Sequence, residues 1–161
     1  MMKSFLFGLA IILFIPACTE GRKSPHESTA TDNITVTYGR PYKKGREIFG
    51  GLEKFGRVWR TGADEATEIV FSKDGTFGGQ AVKAGTYTLY TIPQEKEWTI
   101  ILNRQTGQLG IEYNKNMDLL RVQVPVKKLD EPIEQLTIRF EPGNMIIEWD
   151  RTQVAVPVDF K

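Results

Sequence analysis

Beyond residue 34, apolar and polar positions alternate with a period of two over most of the chain. The runs Ile34/Val36/Tyr38, Tyr87/Leu89, Trp98/Ile100/Leu102, Leu120/Val122/Val124/Val126, Leu136/Ile138/Phe140, Met145/Ile147/Trp149 and Val154/Val156/Val158 each place apolar side chains on one face of an extended segment. Ile69 to Phe71 and Ala81 to Val82 add two shorter segments of the same kind. The breaks carry turn chemistry: Lys73-Asp74-Gly75, Gly78-Gly79, Ala84-Gly85, Thr106-Gly107, Asp130-Glu131-Pro132 and Pro142-Gly143-Asn144. Short alternating strands between such turns predict an all-β domain, an antiparallel β-sandwich or partly closed barrel of about 8–9 strands. Pro41, Pro125 and Pro157 place their strands at an edge, a bulge or an end. No apolar stripe of helical period extends beyond about ten residues, so the pattern allows at most a short helix, around Glu47 to Phe55.

The pattern changes at the N-terminus. Lys3 precedes an apolar run from Phe5 to Ile15, followed by Pro16-Ala17-Cys18 and a polar stretch. A charged start, a short apolar region and a small residue before the cut are the layout of a secretory signal, and about 20 apolar residues would be needed for a membrane span. A cysteine directly after such a region resembles the lipobox of bacterial lipoproteins, with Ile15 at the position where that pattern has Leu. The resemblance implies a signal peptide over residues 1–17, cleavage before Cys18, acylation of Cys18 and tethering to a membrane of the cell envelope. Several acyl chains make such an anchor stable. Residues 18–33 then read as the lipidated cysteine and a flexible tether, since Thr19 to Asn33 contains no large apolar residue, and residues 34–161 as the folded domain.

This division determines what composition excludes. The chain has 161 residues with one Cys and one His, about one domain's worth. Removing the leader leaves 144 residues, enough to bury about 68–70% of the unfolded surface without disulfides. Cys18 is committed to the anchor, and His26 falls in the tether, where no packing would orient its ring. Imidazole and thiol catalysis are thereby set aside, no metal-ligand spacing or cofactor motif is present, and the net charge of +1 lacks the basic surplus of a nucleic-acid binder.

The remaining chemistry concentrates in Gly39 to Gly62, a stretch rich in Gly, Arg and aromatic residues and long for a loop in a compact domain. It holds Arg40, Lys43, Lys44, Arg46, Lys54, Arg57 and Arg60 against Glu47 and Glu53, a local charge of +5, with Asp64, Glu65 and Glu68 just beyond. One reading is a site: Arg46 or Arg60 would hold a carboxylate, phosphate or sulfate, Tyr38 or Trp59 would supply a flat surface, and Asp64 and Glu65 would orient a hydroxyl or act as acid and base. Arg40 and Thr61 stand in the same runs. The other reading is structural, with the arginines paired to the nearby carboxylates and Phe49, Phe55 and Trp59 filling the core.

The run Tyr38-Gly39-Arg40-Pro41, then Lys44 to Leu52, then Val58-Trp59-Arg60-Thr61-Gly62-Ala63-Asp64-Glu65-Ala66-Thr67-Glu68 resembles the hallmark of the domain-of-unknown-function 2911 family. Lys83 to Pro93, Trp98 to Asn103 and Glu148 to Thr152 match its later blocks, so the resemblance extends from about Ile34 to Val158. It implies a secreted envelope protein of the kind found in Bacteroidota and relatives, and it implies no activity. The family pattern usually has Asn where this chain has Asp64.

Together these observations predict an envelope lipoprotein whose β-sandwich binds an anionic small molecule or an envelope glycan. The alternatives are a structural or assembly protein contacting partners through edge strands, and, less favoured, a glycoside hydrolase using two of Asp64, Glu65 and Glu68. The membrane enters as a partner only through Cys18.

Overall fold

The structure is a computed structural model that describes residues 23–160; residues 1–17, expected to be a signal peptide, and Cys18 lie outside the described residues. Nine strands form: β1 (His26–Ala30), β2 (Ile34–Gly39), β3 (Thr67–Phe71), β4 (Gly75–Phe77), β5 (Gln80–Val82), β6 (Gly85–Ile92), β7 (Glu97–Asn103), β8 (Asp118–Glu141) and β9 (Asn144–Asp159). They make one antiparallel sheet in the order β1-β2-β3-β6-β7-β8-β9-β4-β5, not closed into a barrel.

The sandwich arises because β8 belongs to both halves of this sheet. Its first half pairs with β7, for example Trp98 opposite Val124 and Leu102 opposite Leu120. Its second half pairs with β9, from Val126 opposite Val154 to Glu141 opposite Asn144. Between them the register shifts from Lys128 to Ile133 and again before Thr137. Surplus residues on one strand bend it and increase its twist, so the sheet folds over and its two apolar faces meet. Val36, Ile69, Leu89, Trp98 and Ile100 from one half pack against Leu136, Ile138, Met145, Ile147, Trp149 and Val156 from the other. The hydroxyl of buried Tyr38 accepts the backbone N–H of Ile138 at 2.9 Å, joining the halves through the core. Burial, partly offset by that hydrogen bond, holds its phenol pKa above the ordinary value.

Three expectations require correction. Asp130-Glu131-Pro132, read as a turn, lies inside β8 at the bulge, where the ladder has no need of the proline's missing donor. Glu47 to Phe55 forms turns and an isolated bridge between Phe49 and Glu53 rather than a helix; the Gly50-Gly51 pair in its middle, with Gly50 at a φ of 94°, interrupts any helical turn. The sole helical element among the described residues is a 3-10 turn at Lys115–Met117.

The third correction concerns the tether. Within residues 18–33, His26–Ala30 is the edge strand β1, paired from His26 opposite Gly39 to Ala30 opposite Thr35. The sequence HESTA carries no apolar alternation. It is held by the ladder, by the N–H of Arg40 donating to Pro25 O at 2.7 Å, and by the Arg40 guanidinium on Glu27 at 2.6 Å.

Candidate functional site

Residues 40–66 leave β2, cross the open end of the sandwich and return to β3. Their course is imposed by distant strands. Pro41 to Lys43 run beside β8, with Leu136 N–H donating to Pro41 O at 3.0 Å and Lys43 N–H to Glu134 O at 2.6 Å. Arg40 anchors this start, its Nε donating to Leu136 O at 2.9 Å and its terminal nitrogens to Glu27 and Thr137. Further on, Trp59 exchanges two backbone hydrogen bonds with Thr91 of β6, at 2.7 and 2.9 Å.

The inner side of the loop is core. Trp59 is 5% exposed and stacks on Trp149 with ring centroids 6.1 Å apart; Phe49 meets Trp59, Trp98 and Trp149 edge-on. Thr61 is buried, with its hydroxyl donating to Thr91 Oγ1 at 3.1 Å and its carbonyl accepting from Thr67 Oγ1 at 3.0 Å. A β-branched residue with φ of 58° is strained. Lys44 and Asp64, at φ of 49° and 64°, are also left-handed. Such strain persists only where the surrounding structure over-determines it, and it concentrates at ligand clamps.

The outer side of the loop is a cleft of about 470 Å³, within the size range of small-molecule sites. Lys23, Lys44, Arg46 and Arg60 supply positive charge, Tyr42 and Leu52 an exposed apolar flank, and Trp149 part of the floor. Arg46 is shaped by its own loop, its Nε donating to Lys43 O at 2.9 Å and a terminal nitrogen to Tyr42 O at 2.5 Å. Arg60 donates from Nε to Gly62 O at 3.3 Å, and its stem passes so close to Gly110 that a β-carbon there would lie 2.0 Å from its Cδ. Glu53 faces both arginines; burial raises its carboxyl pKa, and Arg60 and Arg46 pull it back in part.

Of the residues predicted for the site, Arg46, Arg60 and Asp64 line this cleft. Tyr38, Trp59 and Thr61 are buried in the core, and Arg40 is committed to pinning the loop. Asp64 presents its carboxylate to the backbone N–H groups of Lys23 and Ser24, at 3.3 and 3.1 Å. Glu65 turns away to a separate depression, where its Oε2 lies 2.8 Å from His26 Nε2. Asp64 and Glu65 therefore do not converge as an acid–base pair. Tyr42, Leu52, Glu53, Lys23 and Trp149 were not foreseen. Tyr42, Leu52 and Glu53 stand in the loop already singled out, but Lys23 and Trp149 reach the cleft only through the tertiary path. Among the described residues no group of three or more His, Cys, Asp or Glu is arranged to hold a metal ion.

The model of the family described as Protein of unknown function (DUF2911) matches residues 22–158. No curated protein and no solved structure matches the chain.

Proposed function

The chain belongs to the DUF2911 family, whose description leaves the activity open, and from that premise we propose that it is an envelope-anchored lipoprotein whose β-sandwich binds a small anionic ligand in the cleft of residues 40–66. The observation that carries this reading is the cleft's lining: Arg46, Arg60, Lys44 and Lys23 against Glu53 and Asp64. Asp64 is already engaged by two backbone donors, and the pKa of Glu53 is raised by burial. The positive side chains thus outweigh the available negative charge, and guanidinium forks suit a carboxylate, phosphate or sulfate. Exposed Tyr42 and Leu52 add a surface for an apolar or sugar-ring body beside the anionic group.

Anchoring rests on Cys18 following its apolar run. Metabolic labelling with an alkyne fatty acid tests it: label is expected on the wild type and absent from Cys18→Ser, and an unlabelled wild type refutes it. Ligand binding is tested on the full chain in detergent by melting against uronic acids, inorganic phosphate, sulfate and peptidoglycan fragments. A true ligand at 100 times its Kd adds about 2.7 kcal/mol to stability. Loss of that increment in Arg46→Ala, with the melting temperature without ligand kept, supports the site. An increment unchanged in Arg46→Ala and Arg60→Ala refutes it.

A further inference from the structure

The polypeptide enters the folded domain at the rim of the basic cleft. Lys23 lines the cleft, and its N–H and that of Ser24 donate to the Asp64 carboxylate on the same rim. Pro25 follows, its carbonyl accepting from Arg40 N–H, and β1 begins at His26. The entry point is thereby fixed to the end of the sandwich that residues 40–66 cross. Cys18 stands five residues before Lys23, and five residues span at most about 17 Å when fully extended. An acylated Cys18 would sit at the membrane interface, where the headgroup layer takes about 5–7 Å of that span. The cleft rim would then be held within roughly 10 Å of the lipid phosphates, about one Debye length at physiological salt.

Exposed apolar side chains gather around the same cleft. Ile111 and Leu109, 80% and 58% exposed, are the most exposed large apolar residues among those described, and Leu52 and Tyr42 of the cleft come next. Leu109 to Glu112 is a turn closed by Glu112 N–H on Leu109 O at 2.9 Å. The turn is pinned: Tyr90 OH donates to Glu112 O at 3.0 Å, Leu109 bridges to Glu65, and Gly110 packs on the Arg60 stem and Asp64 O. Arg60 and Asp64 line the cleft, so the turn stands beside it. Apolar side chains grouped in this way and rimmed by polar ones mark an interaction surface. The rim here is cationic, with Lys23, Lys44, Arg46 and Arg60 in a chain whose net charge is only +1. Apolar residues among Lys and Arg are the composition of a surface that lies on anionic lipid.

We infer that this end of the sandwich docks on the membrane that holds Cys18, its basic rim on the phosphates of anionic lipid headgroups and the turn at Leu109 to Ile111 in the acyl boundary. The inference rests on the basic-cleft reading and the anchor proposed above, and it names the anion as a headgroup phosphate presented by the bilayer. A short link to the anchor alone would let the domain tumble over the surface. Positive charge and apolar contact at the entry point favour one orientation, with β3 running away from the bilayer toward Lys73.

The chain has one cysteine, so once Cys18 is acylated an introduced cysteine is the single free thiol. Ile111→Cys, and Lys73→Cys beyond the far end of β3, are each labelled in the full chain with the fluorophore NBD. They are reconstituted in vesicles of phosphatidylcholine and phosphatidylglycerol with brominated acyl chains. Bromine quenching at Ile111→Cys is expected to be at least threefold that at Lys73→Cys. It should fall to the Lys73→Cys level in vesicles of phosphatidylcholine alone and in the Lys23→Glu, Lys44→Glu double variant. Both lysines are exposed, so that variant keeps the fold and leaves Arg46 and Arg60 in place. Equal quenching at the two positions, or quenching indifferent to phosphatidylglycerol and to the double variant, overturns the docking. The underlying readings fail separately. If Cys18 carries no acyl chain, the anchor is refuted, and docking is judged by the same criteria on Cys18→Ser with the same labels. A melting shift with inorganic phosphate but no preferential quenching leaves a site for soluble anions and overturns docking. Preferential quenching without a shift by any soluble anion supports docking and refutes the free ligand.

Discussion

The inner and outer sides of residues 40–66 are built from the same stretch of chain and behave as different materials. Inside, Trp59 and Phe49 join Trp98 and Trp149 in close ring contacts, and Ile48 is buried in the same core. Outside, Arg46, Arg60, Lys44 and Glu53 line an open cleft and meet mainly backbone carbonyls or one another's fields. A rigid aromatic floor under a charged rim lets the loop hold strained backbone at Lys44, Thr61 and Asp64, because packing energy on one side offsets strain on the other. Rigid support is also what lets side chains above it recognise a ligand without first becoming ordered.

The contrast can be broken most severely from below. Trp59→Ala removes the ring that stacks on Trp149 and is expected to cost about 3–5 kcal/mol in urea unfolding; a cost under about 1 kcal/mol would mean that the aromatic floor does not support the loop. Next in size is Arg40→Ala, which strips donors from Leu136 O, Glu27 and Thr137. Its expected cost is about 1–3 kcal/mol, with earlier proteolysis near β1 as a second readout.

Two carboxylates sharpen the comparison through opposite responses to pH. Glu148, on β9, is desolvated by burial, but hydrogen bonds from Arg139 and Gln153 outweigh that and hold its pKa below the ordinary value. Its contribution is present above the unfolded value and is lost as pH falls through the folded one, so Glu148→Gln should make stability less sensitive to acid. Glu53 is raised by burial, against the pull of Arg60 and Arg46. The fold therefore favours its neutral form, and this contribution is present below the unfolded value and lost as pH rises through the folded one. Glu53→Gln should consequently be as stable as wild type or slightly more so at pH 7, by less than about 1 kcal/mol, and should tighten anion binding. Weaker anion binding in that variant would show that Glu53 holds the ligand rather than opposing it. The smallest expected effect on stability is that of Arg46→Ala, within about 0.5 kcal/mol, although it should abolish the ligand-induced rise in melting temperature.

Strands with a wet and a dry face were legible in the chain, because Val122, Val124 and their counterparts must alternate to bury one side. The strand at His26–Ala30 was not, since an edge strand with polar residues on both faces has no periodic signature and is held by backbone pairing and Arg40. The bend in β8 was read as a turn because Asp130-Glu131-Pro132 has turn composition, and only the partner strand shows that pairing resumes beyond it. In the loop, charge and aromatic content marked the candidate site, yet composition says nothing about which side of a loop faces inward. Trp59 became floor rather than stacking surface because Trp149, ninety residues later, lies beneath it.

By itself, then, the sequence determined a family, an all-β antiparallel fold and one long basic loop, properties written in local periodicity, turn chemistry and charge. Tertiary structure alone decided that Asp64 and Glu65 face different cavities and that Arg40 is a pin while Arg46 and Arg60 are rim. It also returned His26 from an expected tether to a folded strand beside Glu65. These outcomes depend on which distant strands the loop meets, and contacts between residues far apart in the chain leave no mark on the local pattern.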